Sequence, residues 1–175
     1  MVERYSYKVD VLGSNPSRRT KAERVDIKMK YQSLALFLLR ISLGWLFLFA
    51  GYAKLATTGG FSAKQFLLNL HGPFSQFYLP MAGNPLVDNL VILGEILIGI
   101  CLILGILVRF ASFWGIIMML LYYFAEYPPE NGLIVNDQLM YALILVYFMF
   151  SNAGCFWGFD KTLEKKFPKY KKLMG

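Results

Sequence analysis

The chain has 175 residues, of which 57% are hydrophobic and 17% aromatic, and it carries a formal net charge of +7. A water-soluble domain of this length cannot bury so much apolar surface, so the composition excludes an ordinary soluble fold and favours a membrane protein. The positive charge does not indicate nucleic-acid binding, because the basic residues flank the apolar stretches as membrane topology requires.

The sequence ahead of the first apolar stretch contains two patterns. Residues 4–11 alternate polar and apolar side chains as a strand does, and a lone strand would be either disordered or paired with another chain. Beyond the Asn15-Pro16 break, residues 21–32 predict a charged helix leading into the first span. We divide the chain into a basic segment (1–33), a membrane domain (34–159) and a lysine-rich amphipathic tail (160–175).

Four apolar stretches are long enough, or nearly long enough, to cross a hydrocarbon core of about 30 Å. They are residues 34–55, 90–108, 110–127 and 138–153. The last two are short, at about 16 to 18 residues with a rise of about 1.5 Å each. The sequence therefore predicts an all-α membrane protein, a bundle of four transmembrane helices.

Residues 56–89 connect the first two spans and contain two short apolar pieces. In the first piece, Ser62 is placed to cap a helix, with Phe61 and Phe66 as a hydrophobic staple. Both pieces are too short to span and are rich in Phe, Leu and Tyr, so they are predicted to lie along the membrane interface. They either roof a cavity among the helices or serve as a simple interfacial anchor.

The distribution of basic residues predicts the topology. Lysine and arginine concentrate before residue 31 and after residue 160, whereas the long connections between spans contain Lys64 alone. The positive-inside rule then places both termini in the cytoplasm of a multi-pass plasma-membrane protein. We expect the lysines of the tail to face lipid phosphates.

Three charged residues, Arg40, Lys54 and Glu95, fall inside predicted spans. Such charges are costly in lipid and usually point into the bundle, which makes them functional candidates. Helix rise places Lys54 about 6 Å and Arg40 about 14 Å from the level of Glu95, so Lys54 is the expected partner. Arg40 would then need acceptors at the end of span four: Ser151, Asn152 or backbone carbonyls. The alternative for Lys54 is that it extends to the surface without a further role.

Glycines accompany these charges. Gly44 and Gly51 share a face of the first span with Arg40 and Lys54, and Gly94 and Gly99 lie beside Glu95 on the second. Small residues allow close helix contact in membranes, so the first two spans are predicted to pack through these glycines.

Three motifs, in order, resemble those of the DoxX/DoxD family of small four-helix membrane proteins. The first is the set Arg40, Gly44, Gly51 and Lys54, the second is GEILIGICLILGILVRFAS at residues 94–112, and the third is NAGCFWGFDKTL at residues 152–163. Within that family the chain most resembles the DoxD branch, the membrane subunits of archaeal thiosulfate:quinone oxidoreductases.

The resemblance implies an enzyme subunit that oxidises thiosulfate to tetrathionate and passes the electrons to a membrane quinone. It also implies a hetero-oligomer with a separate DoxA-like subunit, with a terminal oxidase as a further candidate partner. Arg40, Lys54 and Glu95 become the candidate catalytic residues. The two cations would bind anionic groups, and Glu95 would transfer protons. Lys54 and His71 are the candidates for binding thiosulfate. A quinone head could lie between aromatic residues, for which the candidates are Trp45, Tyr52, Trp114 and Tyr123.

Other features limit or compete with this interpretation. The sequence contains no motif for haem, flavin, an iron–sulfur cluster or another metal, and its single histidine excludes a bis-histidine haem within this chain. In the connections between spans, acidic residues outnumber Lys64 and His71. This balance disfavours an open thiosulfate site on this chain alone. A thiosulfate site would therefore have to use Lys54 or be supplied by a partner subunit. A rival hypothesis is a non-catalytic scaffold of a respiratory complex, in which the buried charges serve helix packing. Transport is less favoured, because four short spans without repeats rarely form a transporter.

Overall fold

The computed structural model describes residues 21–129, 134–151, 153–154, 157–166 and 173. The strand-like pattern at residues 4–11 and the tail residues 167–172 lie outside this part. The chain divides into two units, Met1–Gln32 and Ser33–Gly175. In the first unit the described residues are helical, and every contact discussed below lies within the second.

The described residues form seven α-helices and one 3-10 turn, with no strand among them. The helices are α1 (Lys21–Leu55), α2 (Lys64–Leu68), α3 (Ser75–Tyr78), α4 (Pro85–Leu104), α5 (Val108–Ala125), α6 (Asp137–Phe150) and α7 (Asp160–Lys166). The 3-10 turn, Leu79–Met81, follows α3 directly.

Three helices in the described part are long and apolar enough to cross a membrane: Ile27–Leu55 within α1, Pro85–Leu104 and Val108–Ala125. They correspond to the first three predicted spans, and α1 confirms that the charged segment continues into the first span as one helix. The predicted fourth span contains α6, an apolar helix of 14 residues. That length gives about 21 Å, which is short of a full hydrocarbon core.

The second span ends earlier than the predicted Val108. Helix α4 stops at Leu104 because Gly105 adopts a left-handed conformation with φ of 66°. Leu107 is also left-handed, with φ of 51°, and α5 begins immediately after it. These two positive φ angles turn the chain back tightly between α4 and α5. The hydrophobicity of the sequence alone does not indicate this turn.

Glycines set the contact between α1 and α4, as predicted for Gly44, Gly51 and Gly99. A methyl group on Gly99 would come within 2.6 Å of the Leu48 backbone nitrogen and 2.8 Å of the Gly44 carbonyl oxygen. Gly94 differs from the prediction, because a methyl group there would meet only the Met118 side chain of α5. Consecutive turns of α4 therefore present glycines to different neighbours.

The principal core of the second unit draws on four helices. Phe47 of α1, Leu102 of α4, and Leu145 and Phe148 of α6 are all almost fully buried in it. Helix α5 packs against both α4 and α6. This packing fixes the levels at which the polar side chains of the spans meet.

We predict that Gly99→Ala lowers the free energy of unfolding by about 1–3 kcal/mol, because the added methyl group forces α1 away from α4. Gly94→Ala on the same helix is the matched control, since its neighbour is the flexible end of Met118. Thermal unfolding of the purified protein in detergent measures both. Equal stability of the two variants would contradict close backbone packing at Gly99.

Candidate functional site

A buried ion pair joins α1 and α4. The Lys54 ammonium donates to both oxygens of Glu95, at 2.8 Å to Oε1 and 2.7 Å to Oε2. The side chain of Glu95 is 3% exposed and that of Lys54 is 24% exposed. This confirms the predicted pairing, so the lysine does not simply extend to the surface.

Tyr122 of α5 completes the cluster. Its hydroxyl donates to Glu95 Oε1 at 2.8 Å, so one carboxylate holds two donors from two other helices. From the sequence, only charged groups were considered as partners of Glu95, and Tyr122 was not among the candidate residues. The available signal was its phenol inside a span, where a buried hydroxyl needs a partner. Lys54, Glu95 and Tyr122 are called the triad below.

Neighbouring residues keep the triad compact. A methyl group on Gly51, one turn from Lys54, would come within 3.1 Å of Glu95 Cβ and 3.0 Å of the Ile96 backbone nitrogen. The glycine thus allows the lysine-bearing face of α1 to reach the glutamate. The Lys54 ammonium also lies 5.7 Å from the centre of the Phe61 ring, within the range of a cation–π contact.

The triad borders a cavity of about 400 Å³. Lys54 and Tyr122 reach its wall, whereas Glu95 lies behind them. Most of the remaining lining is apolar: Phe61, Ala63, Phe66, Leu67, Tyr78, Met81, Val87, Val91, Leu121 and Ala125, with Ser62, Glu126 and Gln138 as further polar members. The cavity therefore offers an apolar chamber with two hydrogen-bond donors held by one carboxylate.

Residues 56–84 form the roof of this cavity. Asp88 of α4 accepts from the Ala63 backbone N–H at 2.8 Å, and the Tyr78 hydroxyl donates to the Leu121 carbonyl of α5 at 2.8 Å. Burial raises the pKa of Tyr78, so its hydroxyl stays protonated and keeps this bond. Of the two interpretations of the connection, the structure favours the roof. The predicted Ser62 cap is not observed: the N-cap of α2 is Ala63, without a side-chain cap, and Ser62 Oγ only accepts from the Lys64 backbone N–H at 3.3 Å.

His71 lies outside the cavity. It lines a neighbouring polar cleft of about 640 Å³, together with residues of α6 and of the segment that follows α5. The structure therefore does not bring His71 and Lys54, the two candidate thiosulfate-binding residues, into one pocket.

Arg40 lies at the other end of the bundle, 14 residues from Lys54 or about 21 Å along α1. It is fully buried, and it donates to the carbonyls of Ala153 at 2.5 Å and Trp157 at 3.3 Å. Backbone carbonyls beyond α6 were among the predicted acceptors, and this expectation is confirmed. Ser151 does not provide an acceptor, since its hydroxyl has no partner among the described residues, and Asn152 lies outside them. Arg40 is thus separated from the triad.

Asp160 closes the bundle at the Arg40 end. Its carboxylate accepts from the backbone N–H groups of Leu107 at 2.7 Å and Val108 at 3.1 Å, which caps α5. Asp160 is also the first residue of α7, and its capping of α5 is not evident from the sequence alone. Gly105 leaves room for Arg40 beside this cap, because a methyl group there would lie 2.7 Å from the Arg40 guanidinium.

The four aromatic residues expected to bind a quinone lie elsewhere. Trp45, Tyr52 and Trp114 are exposed on the surface of the bundle. Tyr123 is buried, and its hydroxyl donates to the Ile134 carbonyl at 2.8 Å. None of the four lines the cavity, whose aromatic wall comes from Phe61, Phe66, Tyr78 and Tyr122.

The described residues contain no group of three or more histidine, cysteine, aspartate or glutamate side chains that could hold a metal ion.

Comparison with known proteins gives one match. The family model described as DoxX matches residues 35–127, which is more than half of the chain and includes the first two motifs. The closing motif at residues 152–163 lies outside the match. No curated protein and no solved structure matches the chain.

We predict that removing one member of the ion pair costs more than removing both. Lys54→Met leaves the Glu95 carboxylate buried with Tyr122, at an expected cost of about 3 kcal/mol. In the double variant Lys54→Met/Glu95→Leu no charge remains to be compensated, so much of that loss is recovered. A double-mutant cycle of unfolding free energies checks this, and strictly additive losses would mean that the two side chains are not coupled.

The cap at the Arg40 end gives another prediction. Asp160→Ala leaves two backbone N–H groups of α5 without their acceptor and should lower the stability by about 1–2 kcal/mol. Asp160→Asn keeps one acceptor oxygen and should lose less, while Lys161→Ala, at the exposed neighbouring position, should change little. Thermal unfolding of the three variants provides the comparison, and an unchanged Asp160→Ala protein would contradict the capping role.

Proposed function

Because this chain belongs to the DoxX family, we propose that it is the quinone-reacting membrane subunit of a thiosulfate:quinone oxidoreductase. Such an enzyme oxidises thiosulfate to tetrathionate and transfers the electrons to a membrane quinone. The observation that carries the proposal is the apolar cavity of about 400 Å³ at whose wall Lys54 and Tyr122 lie, both bound to the buried Glu95 carboxylate.

The residues fit a quinone head. Its ring is flat and apolar, and its carbonyl oxygens are acceptors, which matches an apolar wall at which Lys54 has one N–H not bound to Glu95. The cavity volume falls within the range of about 300–1,000 Å³ typical of small-molecule sites. When bound, a quinone supplies the chemistry of accepting two electrons and two protons.

The triad supplies and holds protons. Glu95 fixes the Lys54 ammonium and the Tyr122 hydroxyl at 2.7–2.8 Å, so the ammonium is already in position when a ligand enters. Transfer of a proton from Lys54 leaves a neutral amine beside the Glu95 carboxylate. Uptake of one proton then restores the ion pair. In this scheme Lys54 is the group that faces the ligand, and Glu95 passes the returning proton to the Lys54 amine, with which it is in direct contact.

Thiosulfate is assigned to the partner subunit in this proposal. The dianion needs uncompensated positive charge, but the charge of Lys54 is balanced by Glu95. The further charged residue at the cavity wall is Glu126, which would repel thiosulfate. A DoxA-like chain in a hetero-oligomer would carry out the oxidation and deliver electrons to the cavity.

We also propose that the protein lies in the plasma membrane, with α6 and its flanking residues as a fourth span. Four crossings place both termini on one side, and the basic residues at both ends of the chain make that side the cytoplasm. The triad and its roof then lie toward the outer face, while Arg40 and Asp160 lie toward the cytoplasm.

One observation favours the rival scaffold function. At the Arg40 end, a fully buried charge is used entirely within the fold, bound to backbone carbonyls rather than directed into a cavity. If the triad served the same purpose, its removal would lower expression and stability but leave the turnover of assembled complex unchanged.

The test is quinone reduction by the purified complex with thiosulfate as donor. Glu95→Gln should lower the turnover about 100-fold, as expected for loss of a general acid–base group. Tyr122→Phe should also lower it by removing one donor. Tyr147→Phe on the exposed surface of α6 is the matched control and should behave as the wild type.

Each outcome has a distinct meaning. Full turnover of assembled Glu95→Gln complex would exclude the proton role and favour the scaffold. A loss of turnover in Trp114→Phe with Tyr122→Phe unaffected would place the quinone among the surface aromatic residues instead of in the cavity.

A further inference from the structure

Two pockets meet at the Lys54 end of the bundle, and they share part of their walls. The apolar cavity and the polar cleft have four lining residues in common: Phe66, Ala125, Glu126 and Gln138. The chamber beside the triad and the larger polar cleft are therefore neighbours, and these four residues form their shared wall. Among these four residues, Glu126 is the one that titrates.

We propose that Glu126 is the proton-transfer residue through which the triad exchanges protons with the aqueous phase at the roof side of the bundle. The proposal rests on the proposed function for the use of those protons. The route itself is a property of this chain alone, and it is tested separately.

The position of Glu126 on α5 supports the first half of this route. Its backbone N–H donates to the Tyr122 carbonyl at 3.2 Å, so the two residues are one helical turn apart. Side chains at that spacing share a face, with Cβ atoms about 5–6 Å apart. Both side chains line the same cavity, and the Tyr122 hydroxyl contacts Glu95 directly.

The cleft supports the second half. Glu126 is exposed, and the lining of the cleft includes His71, Asn136 and Asp137. The Glu126 carboxylate accepts from Gln138 Nε2 at 2.9 Å, which holds it at the shared wall. A carboxyl group held between a polar cleft and an apolar chamber can take a proton from water on one side and release it on the other.

Within the triad Glu95 is 3% exposed and Lys54 is 24% exposed, so a carboxylate at the shared wall would serve chiefly the buried member of the pair. The roof above it is tied to α4 through Asp88 and to α5 through Tyr78. These ties leave the shared wall as the boundary at which a titratable residue meets both compartments.

Each pass of the route delivers one proton, so reduction of one quinone by two electrons and two protons takes two passes. Lys54 gives one proton to the ligand, and Glu126 in its protonated form gives one proton back to the amine, through Tyr122 or through water in the cavity. Glu126 then takes a proton from the cleft, so the triad and Glu126 return to their starting charges. The other titratable groups around this path are His71, Tyr78, Glu95, Tyr127 and Asp137.

The experiment uses the full chain, reconstituted without quinone in lipid nanodiscs and labelled with ¹⁵N in its lysine side chains. The signal of the Lys54 ammonium is assigned by its loss in Lys54→Arg. We expect Glu126→Gln to slow exchange of these protons with water at least about tenfold, as for loss of a general base. Glu126→Asp, which keeps the carboxylate, should retain most of the wild-type rate.

The matched control is Glu164→Gln on α7, which removes a carboxylate from outside both pockets and should leave the exchange rate unchanged. Glu126 is exposed, so Glu126→Gln should fold, and its unfolding temperature verifies this. A wild-type exchange rate in Glu126→Gln would overturn the proposal.

A second measurement links the route to turnover in the assembled complex. Slow quinone reduction by Glu126→Gln should be restored by a small weak acid such as formate, which can replace a missing proton carrier but not a structural contact. Absence of rescue would overturn the role of Glu126 in turnover. If the wild-type complex reduces no quinone while Lys54 exchange still depends on Glu126, the proposed function fails and the proton route stands.

Discussion

The Lys54–Glu95 ion pair is the constraint on which the arrangement of the first three long helices depends. A carboxylate that is 3% exposed in an apolar bundle is tolerated only if donors surround it. Lys54 and Tyr122 provide these donors from two different helices, so α1, α4 and α5 must meet at one level. Gly51 permits that meeting, because a larger side chain would separate α1 from Glu95.

The two ends of the bundle solve the same electrostatic problem in different ways. Arg40 is compensated by fixed backbone carbonyls and by the charge of Asp160, a carboxylate that is itself held by two backbone N–H groups. The triad is composed of three side chains that each carry or accept a labile proton, and two of them face a cavity. Chemistry is therefore expected at the Lys54 end, while the Arg40 end provides rigidity. This separation argues against one catalytic centre that contains all three of the charges within the spans.

Much of this arrangement could be predicted from the sequence, because it depends on helix periodicity and depth. The rise per residue was sufficient to pair Lys54 with Glu95, and the 3.6-residue period placed Gly44 and Gly51 on the packing face. Tyr122 could not be singled out in the same way, since the chain has 11 tyrosines and a neutral phenol gives no depth signal of its own. The capping role of Asp160 was equally hard to predict, because Asp160 lies 52 residues from Val108 in the sequence. Local capping rules do not address such a tertiary contact.

The roof and the triad are built on the same two helices, which makes the cavity a preorganised chamber. Helix α4 provides both Asp88, which binds the roof, and Glu95, which holds the donors. Helix α5 provides Tyr122 to the triad and the Leu121 carbonyl to Tyr78 of the roof. Displacement of the roof therefore requires the loss of hydrogen bonds anchored within two turns of the triad. A ligand that enters such a chamber meets donors already in place, and the reorganisation that flexible donors would require is avoided.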